Sequence, residues 1–325
     1  MGVRVLKSGM ADSLRDSGRF GFQHLGIPPG GAMDCVAMQV VNILVGNPIG
    51  AVVMEMHYPA PQLEFNSPAL MALSGADFQA TIDGVEIALN QPMLVPTGSV
   101  IKFNKPVAGA RCYLGVKGGF EADEWLGSKT TNNFAVRGGY QGRNLQKGDW
   151  VAFAKPFSYE VEEPAVMPWT ANVRELYPQG PCYLIPGAEY ELLDAASKYC
   201  LIHEPFQIAT NSNRMGYRLQ SAPMHLGEYK ECLSSGVGFG TLQLLPDAQT
   251  ILLMADHQTT AGYPRLGHVA SVSLPSLAQL NAGDSIRFQL IDMNTAESLY
   301  AAQEKHLRQL KNACNFRLQE YLSND

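Results

Sequence analysis

The segment Gly283-Asp-Ser-Ile-Arg-Phe288 has the pattern of a tight turn that opens a short β-strand. Two earlier segments, Gly98-Ser-Val-Ile-Lys-Phe103 and Gly148-Asp-Trp-Val-Ala-Phe153, repeat this pattern. In each segment the fourth and sixth residues are apolar and share one face of a strand, whereas the fifth varies from Ala to Lys and Arg. One face of each strand is therefore predicted to pack inward, and the repeats indicate a mainly β protein.

The composition favours the same fold class. The chain of 325 residues contains 31 glycines and 20 prolines, which suit short strands joined by turns better than a helical bundle. Apolar residues make up 46% of the chain and charged residues 17%, so the chain is too hydrophobic and too weakly charged to be disordered. At roughly 100 to 200 residues per domain, this length predicts two domains.

Several partner classes lack support in the sequence. The net charge is −6 and no long run of Lys or Arg occurs, so the basic footprint of a nucleic-acid-binding protein is missing. No apolar stretch is long enough to cross a bilayer, and the first residues do not resemble a signal peptide. We therefore expect a cytoplasmic protein without nucleic-acid or membrane partners. The six scattered cysteines favour reduced thiols, with a disulfide as the alternative.

The sequence predicts few helices. Asp34 is placed to cap a helix whose apolar residues recur at helical spacing until Gly46 ends it. A second helix is predicted at the C terminus, where Asn294 and Glu297 have capping-box spacing. This C-terminal helix either docks on its own barrel or binds a partner.

A segment rich in proline and acidic residues, 155–181, shows little apolar periodicity and is the predicted connection between the domains. The predicted organisation is an N-terminal domain at 1–160, a linker at 161–180, a C-terminal domain at 181–293 and a C-terminal helix at 294–325.

The usual signatures of autonomous nucleotide-dependent enzymes and hydrolases are missing. The sequence contains no G-x-x-x-x-G-K-[ST], no H-E-x-x-H and no G-x-S-x-G, and the segment Gly236-Val-Gly-Phe-Gly240 lacks the third glycine of a dinucleotide fingerprint. We therefore predict no metal site, and the sequence assigns no cofactor-binding residue.

A predicted buried strand over residues 250–255 is followed at once by Asp256-His257-Gln258-Thr259-Thr260. Strand ends often carry catalytic groups because the sheet fixes the backbone while the side chains reach open space. His257 can act as an acid or base near neutral pH, with Asp256 or Thr259 beside it. We predict that these three residues are catalytic. The alternative is a turn in which the polar side chains bond their own backbone.

Three arginines are predicted to bind an anionic substrate. Arg214 and Arg218 are four residues apart, which places them on one face of a regular strand, and guanidinium forks bind carboxylates with two hydrogen bonds. Arg137 opens a glycine-rich loop whose backbone can form an anion-binding nest. The alternative for Arg214 and Arg218 is a structural role in tying loops together.

Nine segments, taken in order, resemble the allophanate hydrolase subunit 2 family, also called the biotin-dependent carboxyltransferase family, which includes the C subunit of 5-oxoprolinase. These segments are Asp16-Ser-Gly-Arg-Phe-Gly21, Gly31-Ala-Met-Asp34, Asn42-Ile-Leu-Val-Gly-Asn47, Leu73-Ser-Gly-Ala-Asp77, Gly115-Val-Lys-Gly-Gly119, Leu126-Gly-Ser128, Gly138-Gly-Tyr-Gln-Gly-Arg143, Arg214-Met-Gly-Tyr-Arg-Leu219 and Gln258-Thr-Thr-Ala-Gly-Tyr-Pro264. The resemblance runs over nearly the whole chain. Within the last segment, Thr260 and Tyr263 are further predicted substrate-binding residues.

The resemblance implies two tandem cyclophilin-like β-barrel domains. It also implies membership of an ATP-dependent 5-oxoprolinase complex that opens 5-oxo-L-proline (pyroglutamate) to L-glutamate. The expected partners are 5-oxoprolinase subunits A and B, the second of them in direct contact. ATP is expected to be used by the assembled complex, and the chain alone is expected to be inactive.

Two alternatives come with the same resemblance. The first is a carboxyltransferase component acting on an amide or urea-like acceptor. This chain has no biotin-accepting Met-Lys-Met, so biotin would arrive on another protein. The second is a regulatory binding protein that antagonises a kinase inhibitor. Neighbouring genes for subunits A and B would favour the oxoprolinase, and a neighbouring biotin carboxylase would favour the transferase.

Overall fold

The computed structural model of the chain describes residues 1–159, 161–227 and 232–322. The chain divides into two compact units: unit 1 consists of Met1–Arg19, Asp34–Glu175 and Lys305–Asp325, and unit 2 consists of Phe20–Met33 and Leu176–Glu304. The domain boundaries inferred from the sequence stay a prediction. Glu160, the predicted last residue of the N-terminal domain, lies outside the described residues.

The described residues of unit 1 contain twelve antiparallel strands. They are β1 (Gly2–Lys7), β2 (Ser13–Arg15), β3 (Val53–His57), β4 (Gln62–Phe65), β5 (Ala69–Asp77), β6 (Ala80–Ile82), β7 (Val85–Glu86), β8 (Met93–Val95), β9 (Val100–Phe103), β10 (Ala108–Val116), β11 (Trp150–Ala152) and β12 (Ala165–Val166). These strands form two sheets, in the orders β11-β1-β4-β9-β6-β7 and β12-β8-β5-β10-β3-β2.

Unit 2 contains one large sheet and a small strand pair. Its strands are β13 (Cys182–Pro186), β14 (Phe206–Ile208), β15 (Gly216–Gln220), β16 (Ser235–Gly236), β17 (Thr241–Leu244), β18 (Thr250–Leu253), β19 (Thr260–Ala261), β20 (Arg265–Val269), β21 (Ser285–Ile286) and β22 (Phe288–Leu290). The large sheet has the order β21-β14-β15-β18-β17-β20-β13-β22, and β16 pairs with β19. Because Arg287 alone separates the two terminal strands, the sheet curls into a nearly closed barrel.

The α-helices of the described residues are α1 (Cys35–Leu44), α2 (Ala195–His203), α3 (Leu274–Ala278) and α4 (Met293–Leu322). Short 3₁₀ turns occur at Gln23–Leu25, Arg174–Leu176, Tyr190–Leu192 and Ser271–Ser273. The predicted fold class, mainly β with barrel-like sheets, few helices and a C-terminal helix, is confirmed. No helix in residues 1–159, 161–227 or 232–322 combines the length and apolar character needed to span a membrane.

The three repeated turns behave as predicted. Gly98, Gly148 and Gly283 have φ angles of +91°, +94° and +94°, a left-handed conformation that glycine adopts without steric cost. Strands β9, β11 and β21 begin two residues after these glycines. The fourth residue of each segment is buried, and the sixth is buried in two segments and half-buried in the first. The predicted inward face of each strand is therefore confirmed.

The two predicted helix starts have different outcomes. Asp34 caps α1 as predicted, because its Oδ1 accepts a hydrogen bond of 2.8 Å from the Ala37 amide. The predicted cap at Asn294 is wrong, since α4 already begins at Met293. Asp292 caps this helix instead, and its Oδ1 accepts a hydrogen bond of 2.8 Å from the Thr295 amide.

The segment predicted as a linker carries an edge strand. Within it, β12 pairs antiparallel with β8, placing Ala165 opposite Leu94. The amide of Met167 then donates to the Pro92 carbonyl at 2.9 Å. A proline-rich segment suits this position because an edge strand leaves many amides without a ladder partner.

Each unit has its own apolar core. In unit 1, buried side chains such as Phe65, Phe78 and Phe120 pack between the sheets. In unit 2, Phe206 and Phe288 are part of the cluster inside the barrel. No disulfide joins the six cysteines, all of which lie in the described part of the chain.

Candidate functional site

The polar segment that follows β18 lies on a turn at the end of a central strand. β18 pairs with β15 on one side and β17 on the other, and the strand ends at Leu253. The His257 amide then donates to the Met254 carbonyl at 3.1 Å, which turns the chain. This turn provides the bend that cooperation between Asp256 and His257 requires, because adjacent residues of a regular strand point to opposite faces.

Asp256 and Arg214 form a two-point ion pair. Arg214 Nε donates to Asp256 Oδ2 at 2.8 Å, and Nη2 donates to Oδ1 at 3.2 Å. The same Nη2 donates to the Gly31 carbonyl at 2.6 Å. The pair is sheltered, with 15% of the Arg214 side chain and 30% of the Asp256 side chain exposed. The guanidinium fork predicted to hold a substrate carboxylate is thus engaged by a carboxylate of the chain itself.

His257 is buried, with 2% of its surface exposed. Its Nδ1 donates to the Gln258 carbonyl at 2.5 Å, since a carbonyl oxygen can only accept. Burial lowers the pKa of the imidazole, against the opposing effects of this hydrogen bond and the Asp256 charge. The ring is therefore neutral near pH 7, with its proton on Nδ1 and a lone pair on Nε2.

The other predicted residues of this segment differ in their exposure to solvent. Thr259 is buried, and its carbonyl accepts a hydrogen bond of 3.0 Å from the Val237 amide. Thr260 is exposed in β19 opposite Gly236 of β16. Tyr263 is exposed and lines an open cleft of about 510 Å³ in unit 2.

This unit 2 cleft includes residues that the sequence does not mark as candidates. His225 and Cys232 line it together with the apolar side chains of Met224 and Leu244. Neither His225 nor Cys232 belongs to a recognisable motif, so only the tertiary structure identifies them as neighbours of Tyr263.

The other predicted arginines lie on exposed surface. Arg218 is exposed in β15, whereas Arg214 precedes this strand and is mostly buried. Arg137 belongs to unit 1, where its Nη1 donates to the Val136 carbonyl at 3.3 Å. The structure therefore brings together Arg214, Asp256 and the His257 turn, whereas Arg218 stays on an outer strand surface.

A second cleft, in unit 1, was not predicted as a site. Lys117, Lys129 and Lys155 line it together with Asp16. One segment of the family resemblance contains Lys117 and another ends just before Lys129, but the sequence does not show that the three cations share one cleft. No group of three His, Cys, Asp or Glu side chains in residues 1–159, 161–227 and 232–322 is placed to hold a metal ion.

Residues 25–290 match the family described as the carboxyltransferase domain, subdomain A and B. The chain belongs to this carboxyltransferase domain family, so the predicted resemblance is confirmed. It is 32% identical over 310 residues to the C subunit of 5-oxoprolinase from Escherichia coli (strain K12), a match that covers 95% of this chain and 97% of the relative. It is also 32% identical over 300 residues to the C subunit of the Haemophilus influenzae 5-oxoprolinase, covering 92% of this chain and 94% of the relative.

Among solved structures, K. lactis urea amidolyase is similar with a TM-score of 0.87 and 26% sequence identity. The match covers 95% of this chain but only 20% of the amidolyase chain. This chain therefore spans about a fifth of the length of that larger protein.

Proposed function

We propose that the chain is the C subunit of an ATP-dependent 5-oxoprolinase complex, which opens 5-oxo-L-proline to L-glutamate. One observation carries the proposal: the match to the C subunit of the E. coli 5-oxoprolinase extends along 95% of this chain and 97% of the relative. A match along almost the whole of both chains supports a shared role more strongly than a match to part of a longer enzyme.

The proposal assigns ATP to the assembled complex. The chain has no G-x-x-x-x-G-K-[ST] motif that would bind nucleotide phosphates. Subunits A and B are the proposed partners, the second of them in direct contact. The substrate is a small lactam that carries a carboxylate.

The proposed chemistry places His257 at the proton-transfer step. Ring opening adds water to the lactam carbonyl and breaks its C–N bond, so one proton leaves water and another reaches the ring nitrogen. A neutral imidazole with its lone pair on Nε2 is in the state needed to accept the first proton. Asp256 holds Arg214 in position through their ion pair, and Thr259 follows on the same turn.

The residue assignments for the substrate stay part of the proposal. Arg137, Arg218, Thr260 and Tyr263 present exposed polar groups. Arg214 already donates to the Asp256 carboxylate and to the Gly31 carbonyl. This arrangement favours a positioning role for Arg214, in which it fixes the end of β18 rather than clamping the substrate.

The test is reconstitution with purified subunits A and B. ATP-dependent release of L-glutamate from 5-oxo-L-proline is expected from the three proteins together, and neither this chain alone nor its two partners without it should match that rate. Turnover by this chain alone would contradict the assignment of ATP to the complex. If the assembled proteins do not open 5-oxo-L-proline, the proposed function is wrong.

A carboxyltransferase component is the second candidate, favoured by the family match and by the similarity to urea amidolyase. In that case biotin would be supplied on another protein, and the acceptor would be an amide or urea. Incorporation of labelled bicarbonate into urea, in the presence of a biotin carboxylase and its biotin carrier, distinguishes this function. The oxoprolinase proposal expects no such incorporation.

A further inference from the structure

Unit 1 contains an open cleft of about 600 Å³ that the proposed chemistry does not use. Three cationic side chains, Lys117, Lys129 and Lys155, line it. Asp16 carries the only carboxylate among the residues that line this cleft in the described part of the chain. The cleft therefore has an excess of positive charge, which attracts anions.

The Asp16 carboxylate already accepts hydrogen bonds from other residues of unit 1. Oδ1 accepts hydrogen bonds from the Gly18 amide at 2.9 Å and from Ser128 Oγ at 2.7 Å. Oδ2 accepts from the Lys129 amide at 2.6 Å. The bonds from Ser128 and Lys129 tie the carboxylate to the backbone that carries Lys129. Asp16 therefore forms part of the cleft wall, and its single charge offsets only part of the charge of the three lysines.

The three lysines have no acidic partner in the described part of the chain. The ion pairs formed by the described residues involve other side chains. Lys117 is half-buried, and its Nζ donates to the Val45 carbonyl over a long 3.4 Å. Burial of this ammonium lowers the pKa of Lys117. An anionic ligand would therefore stabilise a cation that the protein leaves without a counter-charge.

The backbone holds two of these lysines close together. Gly118 has a φ of +87°, and a Cβ on it would lie 2.9 Å from the carbonyl oxygen of Lys155. Asn47 braces the same turn, because its Oδ1 accepts from the Gly118 amide and its Nδ2 donates to the Val116 carbonyl, both at 2.8 Å. Only a glycine turn permits this approach of the Lys155 segment to Lys117.

The cleft also offers apolar surface. Pro48, Ala154 and Pro156 are among its lining residues, and all three are exposed. A cationic rim beside an apolar wall suits a small molecule that has an apolar body and one anionic group.

We propose that the unit 1 cleft binds a small carboxylic acid, with Lys117 and Lys129 contacting the carboxylate and Lys155 adding charge at the rim. The substrate and product of the proposed function are acids of this class, and the choice of 5-oxo-L-proline as a probe rests on that function. Acetate, the simplest acid of the class, is a probe that does not rest on it.

The test is calorimetric titration of the isolated full chain with 5-oxo-L-proline, acetate, inorganic phosphate and 2-pyrrolidinone, which keeps the lactam ring but lacks the carboxylate. The acids should bind, and Lys117→Gln and Lys129→Gln should each weaken binding about 10- to 100-fold, the range of a charge-assisted contact. Lys147→Gln removes an exposed unit 1 lysine that does not line the cleft and should leave the affinity unchanged.

The proposal would be overturned if neither acid binds, if the lysine variants bind as tightly as the wild type, or if 2-pyrrolidinone binds as tightly as the acids. Tighter lysine-dependent binding of phosphate than of the acids would also overturn the assigned ligand class. Because Lys117 is half-buried, thermal unfolding of each variant is measured alongside, and Lys129→Gln gives an independent result if Lys117→Gln fails to fold.

The binding test and the reconstitution test can fail independently of each other. If the reconstituted complex does not open 5-oxo-L-proline but acetate still binds in a lysine-dependent manner, the function is wrong and the cleft assignment stands. If the complex is active but neither acid binds the isolated chain, the cleft assignment is wrong.

Discussion

The turn after β18 in unit 2 and the lysine-lined cleft in unit 1 are both polar regions, but only the turn balances its charges with its own residues. In the turn, Asp256 neutralises Arg214, and burial keeps His257 neutral. In the cleft, Lys117 and Lys129 have no acidic partner among the described residues. A dense polar motif can therefore satisfy its own charges and hydrogen-bonding groups, whereas cations from separate segments can remain open to a ligand.

The largest effect is expected for His257→Gln. This change keeps a hydrogen-bonding side chain but removes the group that titrates near neutrality, so kcat of the reconstituted complex should fall by about 10²- to 10⁴-fold. Assembly with subunits A and B, measured by size-exclusion chromatography, should be unaffected. A near-normal kcat would show that the turn is only structural. Loss of assembly together with activity would identify it as a docking segment.

A smaller effect is expected for Arg214→Lys, which keeps the charge but loses the guanidinium fork. The free energy of unfolding of unit 2 should fall by about 1–3 kcal/mol, because a hydrogen-bonded charge pair is disrupted. The matched change Arg218→Lys, on exposed surface, should stay within about 0.5 kcal/mol. Urea unfolding followed by circular dichroism measures both variants. In the reconstituted complex, a raised KM with normal stability would instead assign Arg214 to the substrate carboxylate.

The pH dependence of stability tests whether burial lowers the pKa of His257. The pKa of this imidazole is lower in the folded state than in the unfolded state. Its contribution to the free energy of unfolding is therefore fully present above about pH 6.5, and it is lost as the pH falls through the folded-state pKa. The stability advantage of the wild type over His257→Gln should therefore shrink between pH 7.5 and pH 5. An advantage that grows on acidification would contradict this account.

The stability of His257→Gln must be subtracted from that of the wild type at each pH, because another group titrates in the same pH range. In unit 1, burial raises the pKa of the Asp12 carboxyl to about 7, against weaker opposing hydrogen bonds from the Gly9 and His57 amides. Asp12 contributes equally to the wild type and to His257→Gln, so the difference between the two curves reports His257.

Local sequence patterns were sufficient for much of the fold. The glycine turns at Gly98, Gly148 and Gly283 and the cap at Asp34 follow from neighbouring residues alone, because left-handed φ angles and side-chain caps are local features. The edge strand β12 was not predictable in this way. It has two residues and depends on pairing with β8, which is distant in sequence.

The candidate site was predicted in part for the same reason. Asp256 and His257 are adjacent in the sequence, so their shared turn could be anticipated. The partner of Asp256 could not, since Arg214 lies 42 residues away. Lys117, Lys129 and Lys155 come from three separate segments that only the fold of unit 1 brings to one cleft.

The contrast in charge is tested most directly by comparing Asp256→Asn with Lys117→Met in urea unfolding. Asp256→Asn should lower the free energy of unfolding by about 1–3 kcal/mol, because Arg214 loses its counter-charge while mostly buried. Lys117→Met should cause no loss, because it removes a half-buried ammonium that has no acidic partner in the described structure. Circular dichroism follows the first variant, and the fluorescence of the three tryptophans, all in unit 1, follows the second. A loss for Lys117→Met as large as that for Asp256→Asn would contradict the account.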